Sequence, residues 1–140
     1  MAMRVTDAIL GCATLLLLAP AAGGAANMPA TPWMRAEVFA TCSGRLAALG
    51  ARQQADRDPA SAATLRQRDM FNLMLDATMD AAMRYGVPPR EDLRWRSAGW
   101  VETATLLADI TYSGDAIRTA RAEAALSARI ADCTELLLGG

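Results

Sequence analysis

The chain has 140 residues, 53% of them apolar and 21% charged, and a formal charge of −1. That suits one domain with a single core and excludes the clustered cationic excess that nucleic-acid binding needs. All 14 cationic side chains are Arg, with no Lys and no His, which removes imidazole acid–base chemistry, Ser/His and Cys/His dyads, Schiff-base lysines, P-loop lysines and His ligation of zinc, copper or haem iron.

Residues 1–26 read as a cleaved N-terminal signal peptide. Arg4 lies in a short polar start, an apolar run extends from Ala8 through Leu18, and small residues follow from Ala21 to Ala26. A retained membrane span needs roughly 20 apolar residues, and Pro20 with Gly23-Gly24 interrupts this run too early. Ile9-Leu10-Gly11-Cys12 resembles a lipoprotein cleavage box, but the apolar core continues past Cys12, so lipidation there is disfavoured. With Cys12 removed, Cys42 and Cys133 remain, an even pair in an oxidising compartment, and one disulfide between them is expected.

Residues 27–32, with Pro29 and Pro32, read as an extended arm. Helical periodicity then runs over about 33–56, where Val38, Phe39, Cys42, Leu46 and Leu49 share one stripe at about 100° per residue. Gly50 is read through, because strong helix formers follow it. Asp58-Pro59 supplies a capping acceptor and a first-turn proline, so the second helix is placed at 59–85, ending before Gly86. Its apolar arc is centred on Phe71, Leu75 and Ala82, and Thr78 fits there by returning its hydroxyl to the backbone. Arg66, Asp69, Asp76, Asp80 and Arg84 occupy one polar sector. So wide an apolar arc predicts cover from more than one neighbour, making Asp58 to Tyr85 the expected most buried helix.

Val87-Pro88-Pro89 turns into a third helix over 89–112, with Glu91 and Asp92 near its N-terminal dipole. Leu93, Trp100 and Leu107 recur at seven-residue spacing with Ala104 and Ile110 beside them, which predicts the buried stripe; Arg94, Glu102, Thr105 and Asp109 are expected on the wet face. Ser113-Gly114-Asp115 separates this helix from a fourth over 115–138. There Leu126, Ile130, Cys133 and Leu137 form one stripe, and Ala120, Ala124, Ala128 and Ala131 a second face of small residues. The expected fold is all-α: an antiparallel four-helix up-down bundle over 33–140, closed by one disulfide, with consecutive helices side by side because their connections are short.

Four features of the sequence bear on chemistry. Met70, Met74, Met79 and Met83 carry soft thioethers suited to Cu(I), but the first and second pairs fall on opposite flanks of the apolar arc, and gap-filling by flexible side chains is the stronger reading. Asp69, Asp76 and Asp80 could support paired-carboxylate work or weak calcium binding, yet Arg66 and Arg84 sit among them and a solvated face with ion pairs fits better. The two cysteines lack a CxxC arrangement or a cation cluster that would sharpen a thiolate. Arg90, Arg94 and Arg96 around Trp95 are the least ordinary cluster, since Arg forks bind carboxylate or phosphate and Trp is enriched in interface anchors.

The functional expectation is an exported, non-enzymatic helical-bundle protein that binds another envelope or secreted protein, located in the periplasm or outside the cell, with no cofactor and no stable membrane span after cleavage. Its contact residues are expected at Arg90, Arg94, Trp95 and Arg96. The alternative is a bundle that binds a small apolar ligand or Cu(I) through its interior methionines.

Overall fold

Local chemistry sets the ends of each helix. The computed structural model describes residues 28–139, so the signal-peptide reading of 1–26 lies outside the described residues. It contains α1 (Pro32–Ala55), α2 (Ser61–Arg84), α3 (Glu91–Tyr112) and α4 (Ala116–Leu138), with no strand among the described residues. Thr31 caps α1 by accepting from the Met34 N–H, and Pro32 occupies the first turn, where its missing N–H costs nothing. Pro32 therefore belongs to the helix and not to the arm. Asp58 Oδ1 accepts from the Ala60 N–H at 2.8 Å; Pro59 and Ala60 form a turn, and the regular helix starts two residues later than expected. Gly86 adopts the left-handed conformation after α2, with φ 93°. Arg57 and Arg90 do so as well, which the sequence did not announce. Asp115 caps α4 through the Ile117 and Arg118 N–H groups at 2.8 and 3.3 Å.

The helix at the centre is α1, not α2. Phe39, Cys42 and Leu46 are buried as expected, but so is a second ridge of small residues, Ala36, Ala40, Gly44 and Ala48. Small side chains let neighbours approach α1 from several sides. α2 buries Phe71, Leu75 and Ala82, while its Met70, Leu73 and Met83 are exposed; among the described residues, its one extensive neighbour is α1. Width of apolar arc alone does not provide the neighbours to cover it. Thr78 does return its hydroxyl to the Met74 carbonyl, at 2.7 Å.

Residue pairings give the directions. Ser43 donates to Asn72 and Gly50 faces Leu65, so α1 and α2 run antiparallel. Gly99 faces Thr41, Arg45 bonds Glu102 and Arg52 bonds Thr111, so α1 and α3 run parallel. Glu102 with Arg129 and Asp109 with Arg118 make α3 and α4 antiparallel. α2 and α3, although consecutive, flank α1 and scarcely touch. The expectation that every consecutive pair lies side by side therefore fails at this step.

The cause is the α1–α3 seam. A Cβ placed on Gly44 would lie 2.0 Å from the Arg96 carbonyl oxygen, and one on Gly99 would lie 2.2 Å from that of Thr41. The two backbones are in direct contact, which requires Gly on both sides. With Gly99 turned to α1, the buried stripe of α3 is Trp95, Gly99 and Thr103, about 100° around the helix from the expected Leu93/Trp100/Leu107 stripe. Leu93 and Trp100 are 46% and 47% exposed. Glu102 and Asp109, expected on the wet face, instead meet arginines of α1 and α4.

α4 rests on α3 and touches α1 more sparingly. Its link to α1 is covalent: the sulfurs of Cys42 and Cys133 are at bonding distance, 2.02 Å, with Cα atoms 5.6 Å apart and a sequence separation of 91. Closing a loop of that length stabilises the fold by about 4 to 5 kcal/mol in the loop-entropy model. Ile130, Leu136 and Leu137 pack on the shared core, and the alanine face at Ala120, Ala124, Ala128 and Ala131 is exposed.

The glycines of α1 and α3 separate two roles. Gly44→Ala and Gly99→Ala should each cost at least about 3 kcal/mol, because the obstructing atoms are backbone and cannot move aside. Gly50→Ala should cost less than either, because its new methyl meets side chains and no backbone, Leu65 Cδ2 at 2.6 Å and Cγ at 3.0 Å with Thr64 Cγ2 at 3.7 Å, and alanine favours the helix. Urea unfolding of the three variants measures the contrast.

Candidate functional site

Because α1 and α3 run parallel, their first turns lie together, and the α2–α3 turn closes over the same end. An open groove of about 280 Å³ results, lined by Trp33 and Glu37 of α1, Tyr85 to Pro88 of the turn, and Glu91, Arg94 and Trp95 of α3. Val87 and Trp95, both buried, belong to the core beneath it. Trp33 and Tyr85 are exposed, Tyr85 by 66%.

The groove is polar on one side. Arg94 Nε donates to Glu91 Oε1 at 2.7 Å, and Nη2 donates to the same oxygen. This hydrogen bond holds the Glu91 carboxyl below its usual range, against the opposing effect of desolvation. Glu91, first by hydrogen bond and then by charge, and more weakly Glu37 raise the Arg94 guanidinium. Arg94 is thus paired with Glu91 of its own helix, with most of its side-chain surface open to solvent.

The four expected contact residues separate. Trp95 is 7% exposed and packs in the core, because the rotation of α3 turns it inward; it cannot serve as a free contact surface. Arg94 is on the groove. Arg90 is exposed in its left-handed turn, and Arg96 lines a different groove between α2 and α3. Trp33 and Tyr85 are the residues that sequence reasoning missed. Their signals were an aromatic next to Pro32 in the first turn and another just before Gly86, both at helix ends where side chains are incompletely covered.

The other candidates are dispersed. Met70 and Met83 are exposed, whereas Met74 and Met79 are partly buried against the core, so each expected pair has one exposed and one partly buried member. Asp69, Asp76 and Asp80 are exposed. Among the described residues, no group of three His, Cys, Asp or Glu side chains is placed to hold a metal ion, and no helix is long and apolar enough to cross a membrane.

One charge cluster joins three helices. Glu102 of α3 accepts from Arg45 Nε of α1 at 2.9 Å and from Arg129 Nε of α4 at 2.8 Å. Partial burial pushes the Glu102 carboxyl upward, but the hydrogen bonds and charges of Arg45 and Arg129 together outweigh it and leave it lowered. A lowered carboxyl contributes stability that is present above its unfolded-state pKa and is lost as pH falls through the folded value.

Two outcomes follow from these placements. Trp95→Ala should destabilise by about 3 to 5 kcal/mol, whereas Arg94→Ala, at an exposed ion pair, should leave the urea midpoint close to that of the parent. Glu102→Gln should flatten the loss of stability on acidification below about pH 4.5, read as urea midpoints across a pH series; an unchanged slope would show that Glu102 carries none of it. Comparison of the chain with protein-family models, with curated proteins and with solved structures gave no match, so its residues and their geometry carry the functional reading.

Proposed function

We propose that the protein is exported after removal of residues 1–26 and works, outside the cytoplasm, as an up-down helical bundle that binds another protein. The alternating directions of α1 to α4 support the up-down order. A pair of buried half-cystines supports an oxidising compartment, since cytosolic thiols are held reduced. The absence of His and Lys removes imidazole and amine chemistry from the chain.

The observation that carries the binding reading is the groove at the α1/α3 starts. Trp33, Tyr85 and Arg94 present themselves together there, and Trp, Tyr and Arg are the residue types that dominate interface energetics. Rigid aromatic side chains lose little entropy on docking, and Arg94 is already oriented by Glu91. Val87 and Pro88 add an apolar base set by a turn that cannot flex about proline. The contact therefore moves from the arginine cluster to Trp33, Tyr85 and Arg94.

The test is proximity crosslinking in the producing cell with a photoreactive residue at Tyr85, compared with one at Asp80 on the charged face of α2. A discrete adduct at Tyr85 that is absent at Asp80 is expected. Tyr85→Ala and Trp33→Ala should each weaken binding of the partner so identified about tenfold or more, with unfolding midpoints close to the parent. Equal adducts at both positions, or full binding by the Trp33→Ala/Tyr85→Ala double variant, would remove this face from the function.

A further inference from the structure

A second groove, of about 340 Å³, lies between α2 and α3 over the middle of α1. It exists because those two helices flank α1 without meeting. Its floor is Ser43, Gly44 and Ala47; one wall carries Arg68 and Asn72, the other Arg96, Ser97 and Trp100. Two guanidinium groups from different helices thus border one concavity, together with an amide, two hydroxyls and a half-exposed indole.

The partners these groups have within the protein are incomplete. Arg68 directs Nε and Nη2 to a single oxygen of Asp69, at 2.9 and 2.6 Å, and that carboxylate is more than half exposed. Such a surface pair contributes little and is readily exchanged. Arg96 reaches Asp92 only at 4.0 Å, the limit of an ion pair. Its Nε is buried with no hydrogen-bond partner among the described residues. The Arg96 side chain as a whole is 33% exposed, and Arg forks match carboxylate and phosphate oxygens. Ser43, in contrast, is satisfied by Asn72 at 2.7 Å, which fixes the amide at the groove wall.

We propose that the α2–α3 groove is a binding site for a small organic anion, its carboxylate or phosphate head held between Arg68 and Arg96 and its flat apolar body lying along Trp100 and the Gly44/Ala47 floor. The volume is that of a metabolite-sized site. The site is separate from the Trp33/Tyr85/Arg94 face, so the two readings stand or fall independently. It also accounts for Trp100, an aromatic side chain of the expected core stripe that the α1–α3 seam leaves at the surface.

The test is an NMR titration of the purified, disulfide-bonded protein, following the Trp100 indole and Arg96 Nε–H resonances. The probes are phenyl phosphate, benzoate and, as a neutral control, benzyl alcohol. Saturable shifts with at least one of the two anions, and none with benzyl alcohol, are expected; the tighter anion identifies the head group. Arg96→Met and Arg68→Met should each weaken that anion about tenfold or more, while Arg121→Met on exposed α4 should not. Arg68, on the outer edge of α2, keeps the test open should Arg96→Met fail to fold. No saturable shift with either anion, equal binding of benzyl alcohol, or undiminished affinity in the Arg68→Met variant would overturn the proposal.

Discussion

The contact between the backbones of α1 and α3 at Gly44 and Gly99 governs the arrangement of the other elements. Two parallel helices this close leave no room for a Cβ on either side of the crossing, so the seam can form only where glycines coincide. Once it forms, α3 is drawn onto α1 instead of onto α2. α1 then has α2, α3 and α4 around it and becomes the central helix, although its apolar side chains are no larger or more numerous than those of α2. Small residues, more than large ones, decide which helix can be surrounded.

The same seam shapes both grooves. It brings the first turns of α1 and α3 together under the α2–α3 turn, which assembles Trp33, Tyr85 and Arg94 from three separated segments. It also holds α2 and α3 apart along α1, opening the cleft bordered by Arg68, Arg96 and Trp100. Rotation of α3 to present Gly99 exchanges the two tryptophans on that helix: Trp95 enters the core, and Trp100 stays at the surface.

α4 is the helix least dependent on apolar burial. Its attachment combines the Cys42–Cys133 bond with the Arg45–Glu102–Arg129 cluster and the Arg118–Asp109 pair. These are polar or covalent links on a helix whose alanine face is exposed. The disulfide thus joins the central helix to the element with the least extensive contact to it, where a covalent tether contributes most relative to packing.

The sequence by itself determined what depends on near neighbours in the chain. The four helices, their ends within about two residues, the capping by Asp115, the left-handed Gly86, the Phe71/Leu75/Ala82 face and the pairing of Cys42 with Cys133 were all legible, because capping chemistry and helical period act over a turn or two and only two cysteines remained to pair. The candidate site was legible in one residue, Arg94, and in the Val87-Pro88 turn. Tertiary structure decided the centrality of α1, the rotation of α3, the burial of Trp95 and the convergence of Trp33 with Tyr85. The physical reason is that a seven-residue apolar repeat reports which side chains are greasy, whereas the approach of two backbones depends on where glycines from distant segments meet. Leu93, Trp100 and Leu107 were the more apolar stripe of α3, but Gly99 was the one position that let another helix in.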